Sequence, residues 1–342
     1  MTPRIISHVL GAFCATSVFL GTCLQANEGE GNALLHTSPL SEEIVSLDLN
    51  TLGTPSMMPE EIGISLPPLE PKRPKNTAIA VGLSAVFPGL GHLYLGEMET
   101  ASGLLGSAGL GVAGIRLGEL SSSNDWAYSA GAMTVQTAWS YGLYAAYRDV
   151  RAHNGLQYSY KMPTDTFLDL TAAPFSWSVI KKPEVWGGVL GSLVVATGVG
   201  YLTLQHKKKW SGSASVRESI SPVFAFPIGI GEEALFRGFA QSILSEWLTP
   251  WGGIAVSSAL FGAAHIPNAW GASARSQRAY YSIVIPWLTL FGVYDGWLTY
   301  KNRSMKESVA IHAWYDFILL LGAAAGQAAI GKRADLSMHL TF

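Results

Sequence analysis

The feature that most constrains this chain is a recurring series of apolar stretches, each approaching the ~20 residues needed to cross a bilayer as a helix. They fall at about 5–24, 101–117, 126–147, 186–204, 220–247, 251–265, 280–300 and 305–325, and a broken one begins at Thr77. Only 13% of the 342 residues are charged, 49% are hydrophobic and 37 are glycine, whereas soluble domains carry roughly 25% charge. In lipid every backbone polar group has to pair within the protein, which leaves helices as the natural element for runs of this length. The sequence therefore predicts an all-α fold: a polytopic helical membrane bundle of roughly seven to nine spans, some re-entrant or interfacial. Frequent Gly and Ala permit close helix contacts.

The pattern divides the chain into six parts. Residues 1–26, with Arg4 ahead of the apolar run Ile5 to Leu24, read as a signal peptide or an uncleaved anchor. Residues 27–75 form an acidic polar linker, in which Glu28, Glu30, Glu42, Glu43, Asp48, Glu60, Glu61 and Glu70 precede the first basic residue, Lys72. The basic collar Pro71 to Lys75 then opens a small helical membrane module at 76–150. Within it Pro88, Gly89 and Gly91 predict a kinked hairpin, and His92 is expected as a hydrogen-bonded structural histidine. A connecting region with a span covers 151–215, a second bundle 216–328 and a polar tail 329–342. Lys181 and Lys182 flank one end of the 186–204 run and Lys207 to Lys209 the other, so the distribution of basic residues gives no orientation.

Composition also excludes classes of function. The only cysteines, Cys14 and Cys23, lie in the first apolar stretch, so the remainder has no disulfide, thiolate nucleophile or cysteine zinc ligand. The Leu-Gly-Thr before Cys23 departs from a lipoprotein signal at its Thr. A net charge of −2 without a basic stripe points away from nucleic acid. The expected partner is the lipid bilayer, and the expected location is integral and multi-pass in a bacterial inner (cell) membrane.

Ionisable groups inside apolar helices are costly and mark functional positions. Three groups stand out in the C-terminal half: Glu232-Glu233-Ala-Leu-Phe-Arg237, Phe261-Gly-Ala-Ala-His265 and His312-Ala-Trp-Tyr-Asp316. Glu233 and Arg237, four apart, share a helix face and can pair. Glu232, turned about 100° from Glu233, has no partner in its own helix, and an unpaired carboxylate removed from water is suited to general-base work. His312 and Asp316 also share a face, so two histidines and three carboxylates on separate helices could converge on a metal or a water. Phe261 is expected to pack. Asp295 is a further acidic group in an apolar run, expected either to satisfy Tyr or backbone donors or to join the site. Each motif alone is ordinary, because Glu-Glu with a following Arg is common on solvated helices and a lone helix histidine is usually structural. Their order and shared apolar setting carry the reading.

That order, Glu-Glu-x-x-x-Arg, then Phe-x-x-x-His, then His-x-x-x-Asn or Asp, resembles the CAAX prenyl protease and bacteriocin-processing (CPBP, Abi) family of intramembrane proteases over about 216–326. The resemblance implies a CPBP-like protease domain at 216–328 and an intramembrane endopeptidase of the CAAX prenyl protease type II kind. Its catalytic residues would be Glu232, Glu233, Arg237, His265, His312 and Asp316. It implies that Glu232 activates water, His265 helps to hold it, His312 and residue 316 bind metal or stabilise the oxyanion, and Glu233 and Arg237 support the site. The family usually has Asn where this chain has Asp316, which weakens an oxyanion role there and favours a ligand or histidine-orienting one.

Two mechanisms stay open. In one, His265, His312 and a carboxylate from Asp316 or Glu232 bind zinc, whose water then titrates near pH 7. In the other, metal-free, Glu232 and His265 polarise water directly while Arg237 and His312 supply positive charge. The expected substrate is a peptide or membrane protein. The competing function is a non-proteolytic scaffold, immunity factor or transporter.

Overall fold

The computed structural model describes residues 73–121, 125–155, 158–205, 221–270 and 274–330. The signal or anchor segment with Cys14 and Cys23, the acidic linker up to residue 72, Lys207 to Lys209 and nearly all of the polar tail lie outside these residues. Within them every regular element is helical, as the apolar runs predict.

The first module is a helical hairpin with a broken entry. Helix α1 (Thr77–Val86) starts at Asn76, whose side chain accepts from the Ile79 N–H and so satisfies one of the helix's orphan donors. It stops ahead of Pro88 and Gly89, and α2 (Leu90–Leu95) is bounded by Gly89 and Gly96, both left-handed at φ 91° and 86°. This is the kink expected from the sequence. Helices α3 (Met98–Leu120) and α4 (Asp125–Asn154) pack antiparallel through small residues. A Cβ on Gly131 would lie 2.4 Å from the Gly111 carbonyl oxygen, so the backbones touch where both residues lack side chains.

Helix α4 runs beyond residue 150 and its second half enters the core of the C-terminal bundle. Leu143, Tyr144 and Tyr147 cluster with Ile230, Ala234, Phe239, Met305 and Val309. Thr137 donates to the Pro227 carbonyl at 2.9 Å, and Gly238 leaves room for the Tyr144 ring. The first module is thus a wall of the second.

A short polar segment then straps the bundle. Arg151 pairs with Glu246 at 2.7 Å, and the same carboxylate accepts from the Tyr160 N–H. Asp165 accepts from Ser304 Oγ and the Met305 N–H, anchoring the chain just ahead of α11 (Lys306–Ile330), the helix that carries His312. Burial pushes the Asp165 carboxyl above its ordinary range. One turn on, in α5 (Phe167–Ala172), the Lys306 ammonium 2.8 Å from Asp169 holds that carboxyl below it. After a turn of α6 (Trp177–Ile180), α7 (Pro183–Gln205) lies against α11, and Lys182 pairs with Glu307.

The functional helix α8 runs through Ala225–Glu233, a π-helical stretch at Ala234–Ala240 and Gln241–Trp247. Helix α9 (Pro250–Ala264) follows, capped by Thr249. Helix α10 comprises Ala274–Ala279, a π turn at Tyr280–Val284 and Ile285–Asn302. A second apolar cluster joins Val185 and Val189 to Phe236, Phe261, Phe291, Leu298 and Ile311. The polar site lies beside these residues.

No helix among the described residues is long and apolar enough to cross a membrane by itself. At 1.5 Å per residue, the 15 residues of α9 span about 22 Å against a hydrocarbon core of ~30 Å. The longer helices α4, α8 and α11 interrupt their apolar runs with Arg148, Asp149, Glu232, Glu233, Arg237 and Asp316. The all-α expectation is borne out. The expected polytopic bundle of seven to nine spans, some re-entrant or interfacial, is not established by these helices.

Candidate active site

Helix α8 supplies three ionisable groups to the interior, all of them buried: Glu232, Glu233 and Arg237. The i, i+4 pairing expected from sequence is present, with Arg237 Nε 3.2 Å from Glu233 Oε2. Arg237 lies in the π-helical stretch, a distortion frequent at functional sites. Its guanidinium carbon stands 4.3 Å from the centre of the Phe261 ring, a cation–π contact. Phe261 therefore packs, as expected, and also stands edge-on to His265 and His312 at 4.8 and 5.9 Å.

The two histidines are held alike. His265, at the end of α9, has Nδ1 2.8 Å from the Phe261 carbonyl oxygen. A carbonyl can only accept, so Nδ1 carries the proton and Nε2 is left free. His312 has Nδ1 2.8 Å from Glu233 Oε1, an acceptor when ionised, which again leaves Nε2 free. Both free nitrogens face one atom: Glu232 Oε2 lies 4.0 Å from His265 Nε2 and 3.7 Å from His312 Nε2. Asp316 Oδ2 lies 3.4 Å from the same His312 nitrogen. Glu232 Oε2 and Asp316 Oδ2 are buried and make no hydrogen bond within the protein. A buried carboxylate oxygen in that state is costly unless water or a cation completes it.

All six residues singled out from sequence thus meet in one interior. Asp295 joins them, contrary to the simpler expectation that Tyr or backbone donors satisfy it. It is wholly buried, neither oxygen has a hydrogen-bond donor, and Oδ2 lies 4.0 Å from Arg237 Nη2. At Gly292, one turn earlier, a Cβ would stand 3.0 Å from Ser258 Cβ and 3.3 Å from Arg237 Nη2. Sequence reasoning missed Gln241, one turn beyond Arg237, whose amide donates to the Gly296 carbonyl at 2.9 Å and to Tyr160 Oη. A polar side chain in an apolar run was its only signal.

The donor types, two imidazoles and two orphaned carboxylate oxygens, are ones zinc takes, but among the described residues no three of them bring ligand atoms within 4.8 Å of one another. Ligand atoms around a tetrahedral zinc stand about 3.3–3.6 Å apart, given bonds of 2.0–2.2 Å. The His312–Asp316 separation of 3.4 Å meets that spacing, while the separations from Glu232 are a few tenths of an ångström wider. They also suit a bridging water, the usual occupant when polar groups stand more than 3.5 Å apart.

Comparison with curated proteins and with solved structures finds no significant match to either. Residues 219–318 match the family model described as Rce1-like, type II CAAX prenyl endopeptidase, which bears out over that segment the resemblance carried by the Glu232, His265 and His312 motifs.

Proposed function

We propose that this chain is an endopeptidase that hydrolyses peptide bonds within or at a membrane, with Glu232 as the base that activates water. The observation that carries the reading is the position of Glu232 Oε2, buried, without a hydrogen bond, and facing the free Nε2 atoms of both His265 and His312. A water held between Glu232 and His265 can give its proton to the carboxylate as its oxygen attacks a carbonyl carbon. Glu232 then returns that proton to the departing amine. His312, oriented by Glu233 and adjoining Asp316, can stabilise the oxygen that gains negative charge when its Nε2 carries a proton.

A membrane setting is supported by the family match and by exposed apolar side chains on the outer faces of α3, α7 and α10, among them Leu110, Leu117, Val194 and Leu290. The substrate is a peptide or a membrane protein. Asp316 in place of the family's usual Asn supports an orienting or ligand role rather than hydrogen-bond donation to the oxyanion.

The test is cleavage of prenylated peptides and of a diverse membrane-protein set by the purified chain, beside a folded Glu232→Gln variant. Cleavage by the wild type that falls by about 10²–10⁴-fold in the variant is the expected result. Equal cleavage by both would overturn the role of Glu232, and cleavage by neither across the whole set would overturn the reading in favour of a scaffold.

A further inference from the structure

A second cluster lies outside the candidate active site, at the kink of the first module. Among the described residues, His92, Glu97 and Asp149 form a group in which one potential ligand atom from each lies within 4.8 Å of the others. His92 sits in α2, Glu97 follows the left-handed Gly96, and Asp149 comes from α4. Glu97 accordingly turns back towards His92, and its N–H donates to the His92 carbonyl at 2.9 Å.

His92 is the unusual member. Its side chain is 0% exposed, and neither ring nitrogen makes a hydrogen bond. The sequence reading anticipated a hydrogen-bonded structural histidine, and the structure instead leaves an imidazole buried with its polar atoms unspent. Its Nε2 lies 3.3 Å from Asp149 Oδ2 without the alignment of a hydrogen bond. Arg148 also engages Asp149, Nε to Oδ1 at 2.6 Å and Nη2 to Oδ2 at 2.9 Å. That fork neutralises one of the two carboxylates. With His92 neutral the group still carries one net negative charge, and each oxygen of Asp149 has a second lone pair to offer.

We propose that His92, Glu97 and Asp149 form a binding site for a divalent first-row transition metal such as Mn²⁺, Co²⁺ or Zn²⁺. One imidazole and two carboxylates are a mixed nitrogen and oxygen set, which suits these ions better than Ca²⁺ or Mg²⁺ with their all-oxygen shells. A bound ion would use the unspent nitrogen of His92 and clamp the α2 turn to α4. Through α4 it would brace the wall on which α8 rests, at Thr137 and Tyr144. Its role is structural, and it stands apart from the hydrolytic site.

The test uses the full-length chain in detergent, stripped of metal and titrated with Co²⁺. A Glu232→Gln, His312→Ala background disables the other candidate site. One equivalent of Co²⁺ with the visible absorption of mixed nitrogen and oxygen ligation is expected. His92→Ala should abolish that signal. Because an alanine in so buried a position can cost folding, Glu97→Gln serves as the second variant: partly exposed and of equal size, it should bind on the order of 10–100-fold more weakly, since losing a direct ligand costs at least what losing an outer partner does. No Co²⁺ bound in the background chain, or unchanged affinity in folded Glu97→Gln, would overturn the proposal and leave a metal-free His92–Asp149–Arg148 cluster.

Discussion

His312 Nδ1 lies 2.8 Å from Glu233 Oε1, and the same glutamate takes Arg237 on its other oxygen at 3.2 Å. Glu233 is therefore the residue that aims the histidine, whereas Glu232 faces the space the histidine is aimed into. The two adjacent carboxylates hold different parts in the proposed reaction, and their variants should separate. Glu233→Gln keeps an amide oxygen for His312 Nδ1–H and loses the charge opposite Arg237. It should lower kcat/KM by about 10–100-fold, the usual cost of removing an orienting partner. Glu232→Gln removes the base and should cost 10²–10⁴-fold. The check is kcat/KM of both variants on whichever peptide the wild type cleaves.

Asp316 gives the next prediction, because its Oδ2 stands 3.4 Å from His312 Nε2. If it orients that ring, Asp316→Asn retains an acceptor oxygen and should stay within about tenfold of the wild type, whereas Asp316→Ala should lose about 10–100-fold. An Asn variant faster than the wild type would instead assign residue 316 to hydrogen-bond donation towards the oxyanion. Steady-state rates on the same peptide decide between them.

Arg237 is 1% exposed and faces two buried carboxylates, Glu233 and Asp295. Arg237→Met would leave both without their cation, and removing one partner of a buried pair costs about 3–5 kcal/mol. Asp295→Asn should be much milder, because it removes a charge whose oxygens have no hydrogen-bond donor. Combined with Arg237→Met, it should recover part of the loss. Thermal melting of the four chains forms a double-mutant cycle. Strict additivity would show that the 4.0 Å approach carries no coupling.

What the sequence made legible was local. The Glu233–Arg237 pair follows from a spacing of four on one helix, and the isolation of Glu232 follows from the same geometry. The hairpin kink follows from Pro88 and Gly89, and the runs near 250–265 and 305–325 became helices at nearly those bounds. What was not legible depends on chain segments far apart. Asp149 of α4 reaches His92 of α2, Asp165 anchors the start of α11 from a polar loop, and Asp295 of α10 approaches Arg237 of α8. Nothing in a single helical period encodes such meetings. The π-helical stretch around Arg237 was likewise invisible, since one altered turn leaves no mark on an apolar run.

The close packing of α3 on α4 makes a prediction of opposite sign at two glycines of the same hairpin. At Gly131 an added Cβ would stand 2.4 Å from the Gly111 oxygen and 2.5 Å from the Ile115 nitrogen, both backbone atoms that no side-chain rotation can move aside. Gly131→Ala must push the helices apart, and overpacking of this kind costs about 1–3 kcal/mol. At Gly103, on the exposed face of α3, a Cβ would meet nothing within 4 Å. Gly103→Ala should therefore gain about 0.5–1 kcal/mol from the better helix former. The prediction is a lower melting temperature for the first variant and an equal or higher one for the second, in the same detergent. Because α4 also carries Thr137 and Tyr144 against α8, Gly131→Ala should lower peptide cleavage as well, although residue 131 touches none of the reacting groups. A chain destabilised at Gly131 with unchanged cleavage would show that the hairpin is not needed to place Glu232.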